Sequence, residues 1–274
     1  MPNSNPAASK TGAIGLSRLS VGVVSYLNAR PLTAGLEEEC GLDLIRMEPS
    51  AVADCLLNGQ VDIGLVPSVT LLESHQLTYL PGLCIGANGA VDSVFLFQNE
   101  RLSDTGPIRV ILDPASRTSQ ELTRIYLEEA REIPADRIQY TERDPRTALA
   151  DRDGDFVLMI GDPALDPNRP SGWEIIDLAA AWKDMTGLPF VFAVWGLSSH
   201  TLADHSELTS IFAASLSRGL THLDDEVAVH ARRHQVAVEK ASDYLRNRIV
   251  YTMGAAEEAG LKAFLDRVRR RRET

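Results

Sequence analysis

Basic residues are in deficit in this 274-residue chain. Its 27 lysines and arginines stand against 38 aspartates and glutamates, a formal net charge of −11. A nucleic-acid partner is therefore not expected, because phosphate backbones are held by clustered Lys and Arg. The one basic run, Arg267 with Arg269 to Arg272, falls at the end of the last helix-like pattern. Cations are favourable there, so it reads as a solvated helix end. Cysteine is scarce and odd in number. Cys40, Cys55 and Cys84 sit in apolar patterns, with no Cys-x-x-Cys pair and no Cys/His spacing suited to zinc. Buried thiols in a reducing compartment are expected. No run is long and apolar enough to span a membrane. The opening "MPNSNPAASKTGAIGLSRLS" lacks the charged start and apolar core of a secretory signal. These absences point to a cytoplasmic protein with no membrane partner.

What is present is an alternation. Leu19 to Val24 is a β-branched run, Pro31 opens a short helix through Glu39, and "DLIRM" is a second strand. Ser50 is placed to cap a helix ending at Asn58 and Gly59, and "VDIGLVP" follows as a strand buried on both faces. The style repeats in "RVILD", the helix "SRTSQELTRIYLEEA", the strand "DFVLMIGD", the strand and helix of "EIIDLAAAWKDMTG", and the strand "PFVFAVWGL". Such alternation implies crossovers and mostly parallel sheets. After Leu197 the pattern is helical only. The reading is an α/β chain of two lobes with a helical tail packed back on the first. Lobe 1 takes residues 1–97 and 193–274, lobe 2 takes 98–192, and segments near Ser93 to Gln98 and Phe190 to Trp195 cross between them.

Ligands of parallel α/β sheets sit outside the carboxyl ends of the strands. The polar residues expected there are Ser25, Tyr26, Asn28 and Arg30 after the first strand, Ser68 after "VDIGLVP", and Ser93 before "VFLF". Ser116, Arg117, Thr118 and Ser119 follow "RVILD", and Gly161 and Asp162 follow "DFVLMI". Backbone N–H groups at a helix start, hydroxyls and one Arg make "DPASRTS" a site for an anion, most naturally a carboxylate. Each residue also has a plainer reading: caps for Ser68, Ser116 and Asp162, a turn residue for Asn28, a surface residue for Arg30. The six histidines lie outside these clusters. No Ser/His/Asp arrangement, Gly-rich phosphate loop or metal-spaced set is present, so no cofactor or metal is expected.

The segments "VGVVSYLNARPL", "GQVDIGLVPS", "DSVFLF", "LDPASRTSQELTRI", "MIGDPAL" and "TGLPFVFAVW" resemble, in order, the MqnA family of menaquinone biosynthesis. The resemblance spans about Val21 to Trp195, and its S-Y-L-N-x-x-P-L and S-R-T-S pieces are the specific ones. It implies the two-lobed type II periplasmic-binding-protein-like fold. It also implies a reaction, the loss of water from chorismate to give 3-[(1-carboxyvinyl)oxy]benzoate without cofactor or metal.

Chorismate carries two carboxylates, and the sequence offers two donor sets, one around Asn28 and one around Thr118. Donors on the ring carboxylate would stabilise the dienolate formed when the proton leaves, an oxyanion-hole effect. General-base catalysis prefers a group near the working pH, yet no His or Lys lies in these segments. Asp162, desolvated by lobe closure, and the substrate's own enolpyruvyl carboxylate, held by Asn28, both remain open as the base. Rival readings are a carboxylate-binding protein of the same fold and the sister 1,4-dihydroxy-6-naphthoate synthase. The oligomeric state is not legible.

Overall fold

The structure, a computed structural model, describes residues 19–38, 40–102, 106–166, 170–198, 201, 205–234 and 236–273. The chain builds two mixed sheets. The first contains β1 (Ser20–Val24), β2 (Asp43–Met47), β3 (Ile63–Pro67) and β4 (Thr78–Ala87), with helix α1 (Pro49–Leu57) between β2 and β3. The chain then leaves for the second sheet through β5 (Val94–Asn99), β6 (Ile108–Leu112), β7 (Ile138–Glu142), β8 (Phe156–Ile160) and β9 (Trp173–Asp177). Helix α2 (Arg117–Ile125) follows β6, α3 (Pro145–Asp151) follows β7, and α4 (Leu178–Thr186) follows β9. Strand β10 (Phe190–Leu197) returns to the first sheet. The tail is α5 (His205–Thr221), α6 (Leu223–His234), α7 (Val238–Asp243), β11 (Val250–Thr252) and α8 (Ala255–Glu273).

Strand order is β11-β4-β10-β3-β1-β2 in the first sheet and β7-β6-β8-β5-β9 in the second. The expectation of mostly parallel sheets holds only for β1 with β2 and β3, and for β6 with β7 and β8. The strands that arrive from the other half are antiparallel: β5 lies between β8 and β9, and β10 between β3 and β4. A parallel neighbour needs a crossover connection, whereas a strand entering from outside the sheet does not. Burial follows from position. Every residue of β3 and β8 is buried, while edge strand β2 buries only Leu44.

Three local expectations are corrected. The short helix expected from Pro31 to Glu39 is a 3-10 turn over Leu27–Leu32, with Pro31 inside it. The α1 cap position is Glu48, with Pro49 opening the helix, and not Ser50. Proline is pre-set for a first helical position, so it moves the start forward. The tail is not helical throughout, because Val250–Thr252 adds strand β11 to the edge of the first sheet.

The tail also does more than cover the first sheet. A Cβ on Gly219 of α5 would lie 2.2 Å from the Pro31 carbonyl oxygen, and one on Gly260 of α8 would lie 2.1 Å from that of Pro189. Both helices therefore touch backbone directly. Helix α8 packs its Phe264 edge-on against Trp182 of α4 and Phe190 of β10. Its basic end is not simply solvated. Arg271 pairs with Glu121 and Glu128, Arg267 with Glu129, and Arg272 with Glu73 and Glu121. Of the three thiols only Cys84 is buried; Cys40 and Cys55 are half-buried, and all three are free.

Candidate functional site

At the carboxyl end of β1 the chain tightens at once, with the Ala29 N–H donating to the Tyr26 carbonyl at 3.1 Å. This turn brings Tyr26 and Asn28 to the wall of a cavity between the two sheets. At the end of β6, Ser116 caps α2 by accepting the Ser119 N–H at 3.2 Å. Ser116, Thr118 and Ser119 then form the opposite wall, with Ser93 and Gly161 between. The rest of the lining is apolar and includes Val24, Leu65, Ile85, Val91, Ile160 and Phe192. The space between the walls is about 580 Å³ counting the open mouth, but the centre of a water molecule can move through only about 70 Å³ of it. The slot is narrow.

The two walls are joined directly. Ser68 Oγ donates to the Val191 carbonyl at 2.8 Å and lies 3.4 Å from Thr118 Oγ1, which accepts the Val69 N–H at 3.3 Å. Each hydroxyl has a single proton. With the proton of Ser68 spent on Val191, that of Thr118 points at Ser68 and is the one a ligand can take. Asp162 Oδ1 accepts the Leu27 N–H at 3.0 Å. The Arg117 guanidinium meets Asp54 of α1 at 2.7 Å.

Several expected residues stand apart from the cavity. Ser25 is exposed, Arg30 is half-buried, and neither lines the space. Ser68, Arg117 and Asp162 hold the seam between the walls and do not line the cavity. The result is a slot whose lining carries no formal cation among the described residues. What the lining could offer an anion instead is hydroxyls and the amino end of α2.

Two residues that sequence reasoning passed over support these walls. The Asp113 carboxylate accepts the Ala115 N–H at 3.0 Å and the Ile160 N–H at 3.3 Å, tying the ends of β6 and β8 together. Burial pushes its pKa up, and those two hydrogen bonds pull it down again. Tyr244, in the turn after α7, accepts a hydrogen bond from Asn28 Nδ2 at 3.0 Å and donates to Ser93 Oγ at 2.9 Å. Burial, then the Glu48 charge, raise the Tyr26 phenol above the ordinary tyrosine range; burial does the same for Tyr244. Asp113 was visible in "LDPASRTS" as the residue before the site. Nothing local marked Tyr244.

Among the described residues no three His, Cys, Asp or Glu side chains gather as a metal site. Nor does any described histidine line the cavity. His200 lies outside the described residues, as do the side chains of His230 and His234.

The fold has counterparts in known proteins. The structure resembles a crystal structure of a protein from Archaeoglobus fulgidus, with a TM-score of 0.72 at 12% identity, covering 93% of this chain and 97% of that one. It also resembles the periplasmic aliphatic sulphonate binding protein of Escherichia coli, with a TM-score of 0.65 at 15% identity over 93% and 88% of the two chains. The fold is that of the periplasmic binding proteins, with a helical C-terminal segment. In sequence, the chain is 31% identical to the chorismate dehydratase of Thermus thermophilus over 264 residues, 90% of this chain and 93% of that one. The family model described as menaquinone biosynthesis matches residues 19–270. The chain belongs to that menaquinone biosynthesis family.

Proposed function

We propose that this protein is a chorismate dehydratase, a carbon–oxygen lyase that works in the cytoplasm on chorismate alone, without cofactor or metal. The observation that carries the reading is the meeting of two uncharged polar sets, Tyr26 with Asn28 and Ser116 with Thr118 and Ser119, across one narrow apolar slot. A small ring with a carboxylate at each end matches it. The moving bodies are residues 1–97 with 193–274 and residues 98–192, whose boundaries fall inside β5 and β10. Their closure excludes water from the reacting carbon.

The amino end of α2 holds one carboxylate and the Asn28 side the other. Donors on the ring carboxylate stabilise the charge that develops there as the proton leaves the ether-bearing carbon. The electron pair then returns through the ring and expels the adjacent hydroxyl, which leaves with a proton as water. The ring becomes aromatic, and that drives the second step. For the base, Asp162 is committed to the Leu27 N–H across the seam. Asp162 also stands off the cavity lining, and this favours the substrate's enolpyruvyl carboxylate as the base, with Asn28 holding it over the carbon.

Purified protein incubated with chorismate should form the aromatic product, seen by its ultraviolet absorbance, without added metal or nucleotide. Binding without product would instead leave a carboxylate-binding protein of this fold. Unchanged chorismate with consumption of the cyclic precursor of 1,4-dihydroxy-6-naphthoate would point to the sister synthase. Asp162→Asn should reduce kcat less than about tenfold, a loosened seam and not a lost base. A fall of several orders of magnitude with binding intact would make Asp162 the base.

A further inference from the structure

Asn28 faces the cavity with an amide that is held from behind. Its Nδ2 donates to the Tyr244 hydroxyl, that hydroxyl donates to Ser93 Oγ, and its Oδ1 is buried with no partner. The three residues come from distant parts of the chain: Tyr244 is 216 positions from Asn28 and 151 from Ser93. Tyr244 itself is 2% exposed and does not line the cavity. It touches the site only through the other two side chains.

A side-chain amide is chemically two-ended. One end accepts hydrogen bonds, the other donates, and they differ little in shape. Left to rotate, Asn28 would offer a bound acid either a matching donor or a repelling oxygen. We propose that Tyr244 is a positioning residue that fixes the presentation of the Asn28 amide to the substrate, with Ser93 as the second link. The proposal rests on the chorismate reading above. A phenol has one proton, so the direction of its bonds is coupled. When Tyr244 donates to Ser93, Nδ2 is held at the phenol and Oδ1 is left without a partner, as here. When Ser93 donates to Tyr244, the phenol proton turns to Oδ1 and Nδ2 faces the cavity, the sense a ligand carboxylate favours. Both states keep a hydrogen bond between the amide and the phenol, and the rotated states between them lose it. A buried polar group left unpaired is costly, so the relay restricts Asn28 to two orientations. The hydroxyl does this work. The ring only fills space.

Tyr244→Phe keeps the ring and removes the hydroxyl. Three readouts test it: steady-state turnover of chorismate, thermal unfolding, and the side-chain NH2 signal of Asn28 in nitrogen-15-labelled protein. Tyr244→Phe should lower kcat about 10- to 100-fold while KM moves less than about threefold, as for a misplaced group at the reacting centre. The Asn28→Ala and Tyr244→Phe double variant should be no slower than Asn28→Ala alone, because the two act as one unit. The Asn28 NH2 protons, protected from solvent exchange in the wild type, should exchange freely in Tyr244→Phe. A Tyr244→Phe kcat within about twofold of wild type, or a loss that multiplies onto that of Asn28→Ala, overturns the proposal. If Tyr244→Phe is too unstable to assay, Ser93→Ala probes the same relay by the same readouts. Wild-type protein that leaves chorismate unchanged would sink the functional reading instead. The Asn28 signal would still decide the relay, and equal protection in both proteins would refute it.

Discussion

Single residues in this protein are constrained by which backbone shapes and protons they can offer. Gly161 is the clearest case. It has φ +69 and ψ −151, a region open in practice to glycine only, and a Cβ there would lie 3.0 Å from the Tyr26 ring. Two penalties therefore coincide at the meeting of the walls. Gly161→Ala should cost about 2 kcal/mol of stability by urea denaturation and also lower turnover, because relief of the clash moves Tyr26 off its wall. Stability within about 0.5 kcal/mol of wild type would show that the loop refolds around the methyl. This position was read from sequence as a site residue because it follows a buried strand. Its backbone angle was not legible, since glycine permits many conformations and announces none.

Elements are fixed by their ends more than by their middles. Asp177 shows how one carboxylate can serve two of them. Its Oδ1 caps α4 by accepting the Ala179 and Ala180 N–H groups, and its Oδ2 accepts those of Val91 and Asp92 on the passage into β5. Burial raises its pKa above the usual aspartate range, against the pull of those bonds. A carboxyl harder to ionise when folded favours folding fully below its unfolded value of about 3.9, and that advantage is lost as pH rises through the folded value. Asp177→Asn removes the titration and two of the acceptor sites. The variant should be less stable by about 2 kcal/mol at low pH, and its deficit should shrink as pH rises above about 4. Urea midpoints across that range check this. A deficit that widens instead would contradict the burial argument.

The elements also show what patterning reveals. β3 and β8 are continuous apolar runs, and α2 begins at a serine whose hydroxyl caps it, so both were read directly. No strand was expected where β4 lies; Pro81 and Gly82 sit inside it and weaken its pattern, though the strand continues through them. β11 has three residues and carries no period of its own. It exists because the edge of β4 is there to pair with.

At the scale of the whole molecule, the two sheets meet along a seam and are bridged a second time by α8. Arg271 lies between Glu121 and Glu128, with all three side chains largely covered. The carboxylates belong to α2 and the turn after it, the helix whose other end faces the ligand. Such pairs are worth only about 1 kcal/mol each, but they act on the relative position of two bodies. Arg271→Ala should leave kcat nearly unchanged, raise KM for chorismate two- to threefold, and increase the radius of gyration seen by small-angle scattering. Raising salt from about 0.05 to 0.5 M should mimic the change in wild type and do little to the variant. A variant with unaltered KM and scattering would reduce α8 to a cover. The two-lobe plan was legible from alternation alone. The bridge was not, because a run of arginines looks the same in sequence whether water or a neighbouring helix receives it.

The distance in sequence between Asn28 and Tyr244 has a consequence during synthesis. The wall that carries Asn28 is made early, but its amide lacks an anchor until the segment beyond α7 has left the ribosome and threaded behind it. A nascent chain that has already built the second sheet and every strand of the first but β11 thus still presents an unanchored amide, and full competence waits for the last turns of the polypeptide.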